Sequence, residues 1–299
     1  FKLLSKFIGW YIFWFKLNSL GSKIIDGVVG FKCQRCFLLN YLTCAGQRCH
    51  KRHHDRRCRA DRGRSKERGV IMAYALTLAG ARLNIGTSSS LVFDKDSTFT
   101  VAGNYLFPTL SSGGFSLLNK QDNAGNATGW ALGFLWQLNV GQGVGNWISF
   151  SKRNNSTNES WGIASASPVA GQWSHMAAST TSANTLDQKF YFNGSQLSTI
   201  VNRNTLTSGI TNAIVPQING RNGANNLSSF STAEVGIWNA ALTAAEVAAL
   251  AKGVTCDQIR PQSLVFYAPL VRDLVDQKGG LTITNNNGAT IANHPRIYP

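Results

Sequence analysis

The chain has 299 residues, with 29 Lys+Arg against 14 Asp+Glu and a formal net charge of +15. Residues 1–71 hold 16 of the basic and 4 of the acidic residues, leaving 13 and 10 to residues 72–299. The excess charge belongs to a leader, which excludes reading the whole chain as a basic, nucleic-acid-binding protein. Five of the six Cys also lie at or before Cys58, with Cys256 alone beyond them. The body is nearly neutral and rich in Gly, Asn, Ser, Thr and aromatics, a composition that suits a β-rich globular domain over 72–299.

In the leader, the longest apolar run is Phe7–Phe15, between Lys6 and Lys16. It is far short of the roughly 18 residues that a membrane-spanning helix needs. A charged residue before an apolar run resembles a signal peptide, but Lys16–Lys23 offers no small-x-small cleavage site. Cys33 and Cys36 form a CxxC, followed by Cys44, Cys49, His50, His53 and His54, side chains that can ligate zinc. Only seven residues separate Cys36 from Cys44, shorter than a finger or ribbon loop, and no apolar pattern follows to fold around a metal. The run Lys51–Arg64 has the charge to contact phosphates as a solvated tail. Lys66-Glu-Arg-Gly69 can be encoded entirely by purines, a few codons before Met72. The expectation is that Met72 is the start and that residues 1–71 are upstream sequence translated in frame.

From Met72 onward, short alternating runs are separated by Gly/Asn/Ser turns, which predicts an all-β sandwich. Strands are expected at 76–83, 90–93, 98–101, 115–119, 130–138, 147–151, 161–165 and 173–180. Gln188–Gly194 is the clearest, because Asn193-Gly194 supplies the two left-handed residues of a tight hairpin turn. Strands at 213–218 and 233–238 follow. Thr243-Ala-Ala-Glu246 is a capping box and starts a short helix with Val247 and Leu250 on its apolar stripe, ended by Gly253. Two last strands are expected at 263–270 and 281–284, the first at an edge or ending at Pro269.

Three segments carry a resemblance: Gly171-Gln-Trp-Ser-His-Met-Ala177, Phe190-Tyr-Phe-Asn-Gly194, and Ala233-Glu-Val-Gly-Ile-Trp-Asn-Ala-Ala-Leu-Thr-Ala-Ala-Glu246. In this order and spacing, with Phe99-Thr-Val101, Leu118-Asn-Lys120 and Gly129-Trp130 upstream, the chain resembles the laminin-G-like/concanavalin A-like lectin superfamily over roughly 74–253. The resemblance implies a jelly-roll sandwich of two antiparallel sheets with one short helix, and Trp173 and Trp238 in its core. Residues 264–270, 273–276 and 279–290 look like the family's opening strands placed at the other end of the chain. Residues 263–299 are therefore expected to close the sandwich as completing or permuted strands, since some forty residues cannot bury a core alone. The pattern is similar to domains of phage and bacterial type, which implies a virion or cell-surface location.

The superfamily also contains glycoside hydrolases, whose retaining members need two carboxylates about 5 Å apart. Residues 72–299 hold only Glu159, Glu234 and Glu246, well separated, while Asp94 and Asp96 read as a turn. His175, beside Trp173, has no nucleophile at matching spacing and is expected to be a packed, hydrogen-bonded structural residue. The expectation is no enzyme. Sugar recognition needs an aromatic face and amide or hydroxyl groups on a rigid scaffold. The 120–126 loop and the 154–158 loop beside Trp161 supply those types, with 219–226 as a third such loop, and Asp122, Asn123, Asn126, Asn154 and Trp161 are the candidate ligand residues. If calcium binds, Asp122, Asn123 and Asn126 are the oxygen donors for it. The function expected is a non-catalytic module for a glycan or surface protein, with a structural decoration protein, forming a homo-oligomer, as the alternative.

Overall fold

A computed structural model describes residues 74–77, 81–122, 127–220, 228–271 and 274–295. The leader readings, Met72, Asn123 and Asn126 lie outside the described residues. The strands are β1 (Tyr74–Thr77), β2 (Arg82–Ile85), β3 (Phe99–Leu106), β4 (Gly113–Gln121), β5 (Gly129–Asn139) and β6 (Val144–Arg153). There follow β7 (Glu159–Ser165), β8 (Trp173–Thr180), β9 (Lys189–Phe192), β10 (Ser195–Leu197), β11 (Ile200–Asn204), β12 (Gln217–Ile218) and β13 (Ser231–Trp238). Helix α1 (Ala244–Ala251) precedes β14 (Leu264–Ala268), β15 (Ile283–Asn286) and β16 (Thr290–Asn293).

These form two eight-stranded antiparallel sheets. Sheet A runs β10-β9-β8-β3-β13-β1-β16, with β14 on the flank of β13; sheet B runs β11-β7-β6-β5-β4-β12-β2-β15. The strand period of two sorts each strand into an inner and an outer set. Phe99, Val101 and Tyr105 of β3 meet Trp130, Leu132 and Phe134 of β5 and Ile148 and Phe150 of β6 in one fully buried core. Aromatic rings dominate it: Phe99 lies 4.2 Å from Phe93 and 5.7 Å from both Trp130 and Phe150, centroid to centroid. The outcome is the jelly-roll sandwich expected.

The outer face of sheet A is apolar and is covered. Ala102, Ala177, Tyr191, Trp238 and Tyr267 pack with Val247 and Leu250 of α1 in a second cluster. Gly236 makes this possible, because a Cβ there would collide with the Trp238 ring and Cys256 Sγ. The Asn193-Gly194 turn has φ of 48° and 82° and sits against Ala248 of the helix. The capping box is formed: Thr243 Oγ1 accepts from Glu246 N, and Glu246 Oε2 accepts from Thr243 N at 2.7 Å. Glu246 also receives both Nε and Nη2 of Arg260 at 2.8 Å. Thr243→Ala is expected to lower unfolding free energy by about 1 kcal/mol, read as a lower urea midpoint with unchanged slope.

The structure departs from the expected elements at four places. The single strand expected at 76–83 is two, β1 in sheet A and β2 in sheet B. Residues 90–93 are not a strand: Ser89–Leu91 form a 3-10 turn, with Ser88 Oγ accepting from Ser90 N. The 213–218 run pairs only through Gln217 and Ile218, and two short strands, β11 and β16, were not expected. Trp173 is half-buried where the resemblance implied core, whereas Trp238 is fully buried.

Candidate functional site

Helix α1 lies over sheet A; on the outer face of sheet B, Trp161 is half-buried and Arg203 exposed, while Asn119, whose Nδ2 donates to Gly220 O, and Gln121 are fully buried. Ser116, Ala131, Gly133, Ser149 and Ser151 floor a shallow trough of about 190 Å³ there, beside Leu135. Small side chains keep it low: a Cβ on Gly133 would point at open space apart from the Phe115 carbonyl oxygen at 3.1 Å. Trp161 of β7 stands beside the trough, its indole Nε1 donating to Ser149 Oγ at 2.8 Å.

Strand register aligns further groups with this floor. Asn84 pairs with Gln217, Gln217 with Asn119, Asn119 with Ala131, Ala131 with Ser151, Ser151 with Trp161, and Trp161 with Arg203. Paired residues share a face, so one cross-strand row crosses the sheet from amides through hydroxyl and small groups to an indole and a guanidinium. At about 4.8 Å per strand, Gln217 to Trp161 spans roughly 19 Å. Several polar atoms along it are buried with no hydrogen-bond partner among the described residues: Asn119 Oδ1, Gln217 Oε1, and both Oε1 and Nε2 of Gln121, on the same face. Buried groups of this kind are normally satisfied by water or ligand.

The three glutamates are each held by protein partners. Buried Glu159 is ion-paired to Arg153 Nε and, at 2.9 Å, to Arg203 Nε. Burial raises its carboxyl above the ordinary range against the pull of the two arginines. The Arg153 guanidinium also lies 5.3 Å from the Trp161 ring centre, stiffening the indole. Glu234 sits at a bulge with φ 52°, accepts from Tyr267 Oη at 2.7 Å and faces His294 Nε2 at 3.4 Å. Glu246 is committed to the helix cap.

Of the expected ligand residues, Trp161 stands half-buried on the outer face of sheet B. Asp122 and Asn154 come together at one end of sheet B, where Asp122 N donates to Thr128 O and Thr128 Oγ1 donates to Asn154 O at 2.8 Å. The Asn154 amide braces its loop by donating to Gly209 O at 2.6 Å. Asn219, from the third expected loop, donates to Ala81 O and Ser228 O. Among the described residues, no group of three or more His, Cys, Asp or Glu side chains gathers to hold a metal ion, and Asn123 and Asn126, the other expected calcium donors, lie outside the described residues. Gln121 lay within the expected 120–126 loop, but the amides Asn119 and Gln217 were missed, because the register that aligns them was not readable. Lys120, within an expected loop, points inward, as does Lys152, which pairs opposite Trp130 in the same row. The Lys152 ammonium bridges the sheets, donating to Thr180 Oγ1, Lys95 O and Ser182 O. Burial pulls its pKa down to about 8, against the upward pull of Asp96 and Asp187.

No curated protein matches the sequence. Among solved structures, a candidate carbohydrate-binding protein from Bacteroides ovatus superposes with TM-score 0.53 and 14% identity, over 76% of this chain and 62% of that one. The chain thus spans about three fifths of that protein's length. A heptameric SAP-like pentraxin from Limulus polyphemus gives TM-score 0.43 and 13% identity, over 75% and 96% of the two chains. The CBM40 of the Ruminococcus gnavus IT-sialidase gives 0.41 and 14%, over 61% and 100%. A family model described as the concanavalin A-like lectin/glucanases superfamily matches residues 80–248, a span holding β2 through β13 and most of α1. With the two-sheet sandwich, this match establishes that the chain belongs to the concanavalin A-like lectin/glucanase superfamily.

Proposed function

We propose that the trough on the outer face of sheet B, beside Trp161, is a non-catalytic binding surface for an oligosaccharide chain. The observation that carries the reading is the cross-strand row from Asn84 to Arg203. An indole offers a flat apolar face to sugar C–H groups, and the Ser116, Ser149 and Ser151 hydroxyls lining the trough match sugar hydroxyls. The trough is shallow and flanked by the indole, which suits a chain lying across the sheet. Catalysis is left out because each glutamate is already engaged by arginine, tyrosine, histidine or a helix cap. The description of the Bacteroides ovatus relative as carbohydrate-binding agrees with this reading. A surface or virion setting, where the ligand is a cell-envelope glycan, is part of the same proposal.

A glycan array probed with the full chain and with Trp161→Ala tests it. The expected result is binding to a subset of oligosaccharides that falls by about tenfold or more in the variant, as for a buried aromatic anchor. No released reducing ends are expected on prolonged incubation. Array binding indifferent to Trp161, or hydrolysis of the bound glycan, would overturn the reading.

A further inference from the structure

A second cavity lies at the rim of the sandwich, away from the trough. It is an open-mouthed cleft of about 360 Å³ between the 87–92 segment and residues 212–216, with Lys120 and Asn212 in its wall. That volume is at the small end of ligand pockets and suits one sugar-sized molecule. Lys120 is 6% exposed, and its ammonium donates to Asn212 O at 2.5 Å and Asn212 Oδ1 at 2.8 Å. An ammonium has three N–H donors, and the third has no acceptor among the described residues. No carboxylate is ion-paired to Lys120 among the described residues either. A buried cation without a counter-ion is costly, and burial correspondingly lowers the Lys120 pKa. Such a group on a cavity wall is a place where a ligand anion completes the pairing.

The rest of the wall fixes the ligand's body. Ser88 and Ser89 present hydroxyl side chains, while Val92, Ile214 and Pro216 present an apolar flank. Asn212 is held rigidly: its Nδ2 donates to Thr128 O and Lys120 O, and its Oδ1 accepts from Ile214 N. A ligand that fits carries one negative charge, several hydroxyls and a C–H face. We propose that this cavity is a second binding site, specific for an acidic sugar unit whose anionic group pairs with Lys120. In taking a sugar as the ligand's body the inference rests on the glycan-binding reading, but it uses different residues from the trough.

The test is a titration of the isotope-labelled full chain with glucuronate and, separately, with glucose as its neutral counterpart. Glucuronate is expected to shift the amide signals of Ser88, Ser89, Asn212 and Ile214 saturably, and glucose to leave them in place. Lys120→Met is expected to weaken glucuronate binding by about tenfold or more, the usual weight of a charged hydrogen bond. Because Lys120→Met also strips the Asn212 contacts, Val92→Trp serves as a second variant. Val92 is 46% exposed at the cavity mouth, so a larger ring blocks entry without touching the ammonium. Both variants are expected to keep the Trp161-dependent array binding of the trough. Equal binding of glucose and glucuronate, or glucuronate binding unchanged in both variants, would overturn the proposal. Loss of array binding in Trp161→Ala with glucuronate shifts intact would show the two sites to be separate, as proposed. If array binding is instead indifferent to Trp161 while glucuronate still binds through Lys120, the trough reading fails and this one stands.

Discussion

A chain ending at Gln262 is expected not to fold. Residues beyond it complete both sheets: β14 pairs with β13 through Val235↔Ala268 and Ile237↔Phe266, β15 pairs with β2, and β16 pairs with β1. Phe266, Leu270 and Ile283 are at most 4% exposed within the main core, and Leu264 and Tyr267 fill the cluster under the helix. Each large apolar side chain contributes about 1.5–3 kcal/mol on burial. Losing Leu264, Phe266, Leu270 and Ile283 alone removes roughly 6–12 kcal/mol, comparable to the roughly 5–15 kcal/mol that holds a domain folded. Asp276 adds a local anchor, accepting from Tyr267 N at 2.9 Å and Gly279 N at 3.0 Å. Circular dichroism against temperature checks it. The truncated chain should show no cooperative transition, and a transition within a few degrees of the full chain would contradict the tail's structural role.

Acidification is expected to weaken the fold through His175. Its ring lies in β8 at 4% exposure, with Nδ1 unpartnered among the described residues, although hydrogen bonding was expected for it. Burial pushes its pKa down to about 4. Between about pH 6.5 and pH 4 the unfolded chain binds a proton that the folded chain refuses. Stability is therefore full above the ordinary histidine range and falls as pH drops, by about 3 kcal/mol at most. Urea midpoints across that range should decline in the wild type and flatten in His175→Leu. His294 acts with the opposite sign. Burial alone would lower its pKa, but the Glu234 carboxylate and the carbonyls of Pro295 and Pro269 outweigh it and raise the value. Both ring nitrogens face carbonyl oxygens, at 2.8 and 3.0 Å, an arrangement that only the doubly protonated ring satisfies by donation. Its contribution is present at acid pH and lost as pH rises through its raised pKa, so His294→Gln should remove a loss of stability near neutrality. A midpoint unmoved by pH in the wild type would contradict both assignments.

Local signals in this sequence were legible wherever a rule acts within a few residues. Alternation in Trp130–Leu135, the Asn193-Gly194 turn and the Thr243–Glu246 cap all reappear as built. Ser88-Ser-Ser90 misled, because its hydroxyls hydrogen-bond the local backbone and curl it into a turn where the apolar residues after it suggest a strand. The candidate site was harder for a non-local reason. Trp161 was readable as an aromatic near polar loops, but Asn119 and Gln217 are 98 positions apart and meet it only through register across five strands. A bulge between Ser116 and Leu118 shifts that register by one residue, which decides the face that Asn119 and Lys120 take. No pattern within either strand reports such a shift.

The most direct test of the binding account is to map where a bound oligosaccharide sits. An array-positive oligosaccharide titrated into isotope-labelled full chain should shift the Trp161 indole N–H and the amides of Ser116, Gly133, Ser149 and Ser151. Shifts gathered instead around helix α1, or absent from the trough on sheet B at saturation, would contradict it.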